Sequence, residues 1–219
     1  MYKLIIFDLD GTLLDTIEDL ANSVNFALNK FNFPTHKTED YRFFIGNGVD
    51  KLLERALPEP KRNEDNLSMV KAEFLKCYYN HSDTFTKPYA GIVDLLVKLQ
   101  QNGFKLAVAS NKIHKATVDL TALFFSDIFF SDVLGQRDGF PTKPNPAILN
   151  EIIKNAGVDK LEVLYIGDSG VDVATAYNTG VDFVGVLWGF RPQNELEEVG
   201  AKVFVNDTDE LFKLINSAN

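Results

Sequence analysis

The chain has one cysteine, Cys77, so no disulfide can form within it. It has no apolar run approaching the roughly 20 residues that span a bilayer. Its opening stretch, Met1 to Phe7, lacks the apolar core of a signal peptide because Asp8 interrupts it. The expected compartment is therefore the cytoplasm. Clusters of Lys or Arg are also missing, and 31 acidic residues against 22 basic ones leave a formal charge of -9. That balance excludes nucleic acid or a membrane surface as the main partner. It does not exclude an anionic ligand, since a bound cation and one or two placed basic side chains can reverse the field locally. No segment is low in complexity and no internal repeat is evident. The three histidines, His36, His81 and His114, share no spacing suited to a metal site.

What is present is 219 residues, 45% of them hydrophobic. That is enough for one full domain and a smaller insertion. Leu4-Ile5-Ile6-Phe7 is a short continuous apolar run ending at an acidic, Gly-containing turn, as expected of a strand buried on both faces of a parallel sheet. From Ile17 the apolar positions Leu20, Ala21, Val24 and Leu28 keep a helical period, with Thr16 as the expected N-cap. Two further helical patterns follow, through Val49, Leu52, Leu53 and Ala56, and through Leu67, Val70, Phe74 and Tyr78. After Pro88 strands and helices alternate. Strands are expected at Lys105 to Ala109, Ile128 to Val133, Val163 to Ile166, Phe183 to Leu187 and Val203 to Val205, and a helix from Asn145 to Asn155.

The expected fold is α/β, a doubly wound, Rossmann-like parallel sheet core with an inserted all-helical cap. The core would comprise residues 1-15 and 83-219, and the cap 16-82 with hinges near Asp15-Thr16 and residues 82 to 88. The stretch Phe124, Phe125, Phe129 and Phe130 reads as core or a dimer surface, and Cys77 as packing.

Ligands of doubly wound sheets bind beyond the carboxyl ends of the strands. The residues there are Asp8-Leu9-Asp10-Gly11-Thr12 after the first strand, Ser110-Asn111-Lys112, and Gly167-Asp168-Ser169-Gly170-Val171-Asp172, with Lys143 before a helix. Several carboxylates, a hydroxyl and a lysine thus fall on one edge, which marks it as the candidate active site. Each short motif alone has a plainer reading as a turn or helix cap.

Asp8-Leu9-Asp10-Gly11-Thr12-Leu13, Ser110-Asn111, Lys143-Pro144 and Gly167-Asp168 to Asp172 resemble, in order, the four motifs of the haloacid dehalogenase-like hydrolases. Ile45-Gly46-Asn47-Gly48 and Trp188-Gly189-Phe190-Arg191 look most like the phosphoglycolate phosphatase group of that family. The resemblance implies hydrolysis of a small phosphorylated metabolite by a Mg2+-dependent enzyme, a monomer or homodimer, with Asp8 as the nucleophile. Asp8, the Asp10 carbonyl and Asp168 would hold the metal, supported by Asp172. Asp10 would act as acid and then base, Ser110 and Lys143 would complete the catalytic set, and Lys112 is a weaker candidate. Gly11, Thr12 and Asn111 would contact substrate. Gly46, Asn47 and Gly48 precede a helix and offer backbone N–H groups to a second anionic group, and Arg191 is a further candidate contact. Alternatives left open are a β-phosphoglucomutase-type phosphotransferase, a pyrophosphatase and a non-catalytic phospho-binding module.

Overall fold

In the computed structural model, which describes residues 1–217, a six-stranded parallel sheet forms the centre. Its strands are β1 (Leu4–Phe7), β4 (Lys105–Ile113), β5 (Phe130–Gln136), β6 (Val163–Gly167), β7 (Asp182–Val186) and β8 (Phe204–Val205), in the order β5-β4-β1-β6-β7-β8. The chain starts in the middle, at β1, and builds outward first on one side and then on the other. That reversal opens a crevice at the carboxyl end of β1.

The alternation of side chains along each strand explains the apolar runs. Ile5 and Phe7, Leu106 and Val108, and Leu164 and Ile166 face a cluster with α4 (Ile92–Gln101) and α9 (Thr208–Ser217). Leu4 and Ile6, Ala107 and Ala109, and Val163 and Tyr165 face the opposite cluster, with α6 (Ala147–Ala156) and α7 (Gly170–Thr179). A strand covered on both faces needs apolar residues at consecutive positions. The remaining core helices are α5 (His114–Phe124) and the short α8 (Gln193–Glu198), the latter not expected from the sequence.

Between β1 and α4 lie α1 (Ile17–Lys30), α2 (Val49–Ala56) and α3 (Glu64–His81), with 3-10 turns at Thr38–Phe43 and Glu59–Lys61. They close on an apolar cluster of their own that includes Leu20, Val24, Tyr41, Leu53, Phe74 and Tyr78, and the core adds Ala116 and Phe190 to it. Asn63 caps α3 by accepting a hydrogen bond from the Asn66 N–H at 3.0 Å. The two chain segments that lead into and out of this helical block pair antiparallel, β2 (Leu14–Asp15) with β3 (Lys87–Pro88). The Asp19 carboxylate of α1 is buried against the outgoing segment and accepts from the Phe85 N–H, the Thr86 N–H (2.8 Å) and the Thr86 hydroxyl (2.7 Å).

Several expectations change. Thr16 occupies the N-cap of α1, but its hydroxyl makes no capping bond and donates to Asp10 Oδ1 at 2.7 Å. The strand expected to end at Ala109 continues to Ile113, with a shift of register against β5, so Ser110, Asn111 and Lys112 lie within it. The helix expected from Asn145 starts at Ala147, after Pro146 at its N-cap. Of the phenylalanine group, Phe125 is buried and Phe124 and Phe130 pack against the core, while Phe129 stands out in solvent. Among the described residues, no helix is long and apolar enough to cross a membrane.

Candidate active site

Asp8 follows β1 directly. Its N–H continues the ladder to the Ile166 carbonyl at 2.9 Å, and its Oδ1 accepts from the Leu9 N–H at 2.7 Å. Lys143 Nζ stands 2.9 Å from the same oxygen, leaving Oδ2 without a partner among the described residues. The Lys143 ammonium, almost wholly buried, also donates to Asp172 Oδ1 (2.7 Å), the Tyr165 hydroxyl (2.9 Å) and the Ala109 carbonyl (3.1 Å). A buried cation with this many acceptors is fixed in place.

Asp172 is fully buried, and donors occupy both its oxygens: Tyr165 and Lys143 on Oδ1, the Ser169 N–H and hydroxyl on Oδ2. It thereby anchors Lys143 and closes the first turn of α7. Asp168 sits in a different cradle. The Phe190 N–H donates to its Oδ2 at 2.7 Å, and the Thr12 hydroxyl lies 3.4 Å from Oδ1. A Cβ on Gly11 would meet Asp168 Oδ2 at 2.3 Å, and one on Gly189 would meet Asp168 Cβ at 2.3 Å. Only a residue without a side chain fits at either place, and Gly11 also has φ +84. The Trp188 indole N–H donates to the Thr12 carbonyl at 3.0 Å and ties the two glycine-containing loops together.

Carboxylate oxygens of Asp8, Asp168 and Asp172 lie within 4.8 Å of one another. Burial pushes the Asp8 carboxyl up to about 7; Lys143 opposes the shift, and Asp172 and Asp10 add to it. Burial likewise holds the Asp168 carboxyl well above the usual carboxylate range, with Asp172 and Asp8 contributing. Burial alone would lower the Lys143 ammonium, yet Asp172 and Asp8 bring it above its ordinary value. The cluster is an acidic pocket with one built-in cation.

Asp10 points to the cavity side, where its Oδ1 accepts from Thr16 and from Lys112 Nζ at 2.8 Å. A cavity of about 50 Å³ is lined by Asp8, Asp10, Asp168, Ser110, Asn111 and Lys112 on the core side, and by Leu20, Gly46, Gly48, Leu52, Phe74 and Tyr78 from the helical block. Bonds that join the block to the core here include those from Asn111 Nδ2 to the Gly46 carbonyl at 3.0 Å and from Arg191 Nη2 to the Ile45 carbonyl at 3.0 Å. Asn47 is not part of the lining; its side-chain oxygen accepts from Arg55 at 2.7 Å. Gly11 and Thr12 likewise pack against Asp168 and do not line the cavity.

The sequence pattern of the haloacid dehalogenase-like hydrolases matches residues 5–186. The chain belongs to that family. Within this hydrolase family, a phosphoglycolate phosphatase from Haemophilus influenzae is 32% identical over 220 residues, covering 98% of each chain. One of the same name from Pasteurella multocida is 34% identical over 196 residues, covering 87% of this chain and 88% of that one. A crystal structure from Lactobacillus delbrueckii subsp. bulgaricus superposes with a TM-score of 0.92 at 34% identity, covering 98% of both chains.

Five contributions to this hydrolase's site were not read from the sequence: Tyr165, Tyr78, Thr16, Gly189 and the Phe190 N–H. Tyr165 and Tyr78 fall on apolar periodic positions and read as core. Gly189 and Phe190 belong to the Trp188-Gly189-Phe190-Arg191 motif, where a glycine beside an aromatic after a strand is the available signal.

Proposed function

We propose that this chain is a magnesium-dependent phosphomonoesterase acting on a small phosphorylated acid of the phosphoglycolate kind, with Asp8 phosphorylated during turnover. The observation that carries the reading is the setting of Asp8: one oxygen is held by Lys143 at 2.9 Å, the other is free, and Asp168 lies beside it in the same lining. The relatives named phosphoglycolate phosphatase, alike over nearly the whole chain, support the substrate class.

The donor set fits a hard divalent cation. Asp8 and Asp168 are buried carboxylates whose proton affinity is raised first by burial and then by neighbouring carboxylates, Asp172 in both cases, and hard cations take oxygen ligands. Asp172 has no oxygen to spare, so the assigned holders are Asp8, Asp168 and the Asp10 carbonyl. When bound, Mg2+ supplies positive charge that lets a carboxylate approach an anionic phosphoryl group.

An Asp8 oxygen then attacks phosphorus as the bond to the ester oxygen breaks, and the departing alkoxide takes a proton from Asp10. In the second half, Asp10 takes a proton from water, the water oxygen bonds to phosphorus, and the Asp8–phosphorus bond breaks to release phosphate. Asp10 is placed for both transfers by Thr16 and Lys112. The Ser110 hydroxyl and the Asn111 backbone donate to the transferring oxygens, and Lys143 offsets charge behind Asp8. Residues 16-82 serve as a cap that keeps bulk water from the intermediate, over a core of 1-15 and 83-219. The enzyme is assigned to the cytoplasm, as a monomer or homodimer.

The test is phosphate release from 2-phosphoglycolate by purified protein. Release is expected with Mg2+, is expected to vanish with EDTA, and is expected to fall about a thousandfold or more in Asp8→Asn. Folded protein that releases no phosphate with Mg2+ present would refute the proposal.

A further inference from the structure

Two cationic side chains reach the cavity lining, Lys112 and Arg191. The Arg191 guanidinium is occupied: Nη2 donates to the Ile45 carbonyl at 3.0 Å and approaches the Phe43 carbonyl at 3.4 Å, and Nη1 faces Glu195 at 3.4 Å. Lys112 is 8% exposed and differs in this respect. An ammonium has three donors: Asp10 Oδ1 accepts one at 2.8 Å, the Tyr78 hydroxyl lies beside it as a second acceptor, and no third acceptor stands among the described residues. The group lies over the Tyr78 ring, 4.9 Å from its centroid.

Tyr78 comes from α3, is 1% exposed and lines the same cavity. Its hydroxyl faces the Lys112 ammonium and has no acceptor for its own hydrogen among the described residues. Buried hydroxyls are rarely left so, because the lost hydration goes unrepaid. A spare ammonium donor and a hydroxyl with no acceptor for its hydrogen, side by side in an otherwise apolar stretch of lining (Leu20, Leu52, Phe74), describe half of a binding site. The missing half must accept hydrogen bonds, and a charged acceptor makes the stronger bond to an ammonium.

We infer that Lys112 and Tyr78 form a subsite for a carboxylate on the alcohol portion of the phosphate ester. The inference rests on the phosphatase reading above and fixes where along the substrate the second anion is bound. Asp10 is the group assigned to protonate the leaving oxygen, and Lys112 touches Asp10. A carboxylate one carbon away from that oxygen therefore reaches Lys112 while the oxygen stays at Asp10. This places the second anion on Lys112 and Tyr78 and not on the backbone N–H groups of Gly46, Asn47 and Gly48. An uncharged alcohol of equal size offers these donors only a neutral hydroxyl, a weaker acceptor than a carboxylate in a poorly solvated site.

The experiment compares kcat/KM for 2-phosphoglycolate with kcat/KM for 2-hydroxyethyl phosphate, an uncharged counterpart of similar size, in the native enzyme, Lys112→Met and Tyr78→Phe. Taking the ratio cancels whatever Lys112 does for Asp10, since both esters need the same proton. The native enzyme is expected to favour the acid by about a hundredfold. Lys112→Met is expected to reduce that preference at least tenfold, and Tyr78→Phe, which keeps the ring and its packing, severalfold. A native enzyme that hydrolyses both esters equally well overturns the subsite, as does an unchanged ratio in either variant. A native enzyme that hydrolyses neither ester sinks the phosphatase reading itself, which is a different failure.

Discussion

Replacing Gly189 with alanine adds one methyl group to the loop after β7, at a point with no room for it. The new Cβ would lie 2.3 Å from Asp168 Cβ, 2.5 Å from Asp168 Oδ2 and 2.5 Å from the Gly11 carbonyl oxygen, where ordinary contacts begin at 3.4 Å. About 1 Å of movement is needed, and two of the three atoms belong to the rigid frame of the site. Unlike Gly11, Gly189 does not use the left-handed region, so alanine accepts its backbone and the effect is steric. The loop also supplies the Phe190 N–H to Asp168 Oδ2, so moving it disturbs the partner that orients the carboxylate proposed to hold Mg2+. Loss of such an orienting contact lowers metal affinity roughly 10- to 100-fold, which is about 1.4 to 2.7 kcal/mol. Overpacking should cost roughly 1–3 kcal/mol of stability in addition. The assay is the initial rate against Mg2+ concentration. The half-saturating concentration is expected to rise at least tenfold in Gly189→Ala, with partial recovery of rate at high Mg2+. A variant that folds and keeps the native Mg2+ dependence would refute the claim that this loop orients Asp168.

Asp19→Ala should destabilise the protein by roughly 3–5 kcal/mol, because two N–H groups and a hydroxyl of Phe85 and Thr86 lose their shared buried acceptor; a urea-unfolding shift below about 1 kcal/mol would contradict this. Metal-free protein should lose stability as pH rises. A carboxyl raised in the folded state keeps its proton while the unfolded chain has already ionised, so the loss accrues from its ordinary value to its folded one, for Asp8 from 3.8 to about 7. Asp168 shifts in the same direction. In EDTA the thermal midpoint should therefore fall between about pH 5 and pH 8, and Mg2+ should raise it more at the higher pH. Equal stabilisation by Mg2+ at both values would count against a carboxylate site.

How much of this was legible differs from residue to residue. Asp8, Asp10 and Asp168 could be found because they interrupt apolar strands, and a charge at the end of a buried strand has few purely structural uses. Lys143 could be found only as part of a set, since nothing in its own loop distinguishes it from a solvated lysine. Lys112 is hard to find for a different reason. The sequence pattern ends a strand at Ala109, whereas β4 runs on and carries Lys112 inward to Asp10. Tyr78 follows the period of α3 and reads as packing, and periodicity reports that a side chain is buried without saying what its hydroxyl meets.

The amino-acid sequence on its own determined the parallel sheet, the helical block placed after the first strand, and the acidic turns at the strand ends. These follow from local patterns: a strand covered on both faces needs consecutive apolar residues, and helices need a repeating apolar stripe. Only the tertiary structure decided the partners. Thr16 bonds Asp10 in place of capping its helix, Asp172 holds Lys143 while Asp168 faces the cavity, and Gly189 owes its small size to Asp168, 21 positions earlier in the chain. The physical reason is range, because hydrogen bonds and steric contacts act over a few ångströms in space, and it is the folded chain that sets which residues come that close.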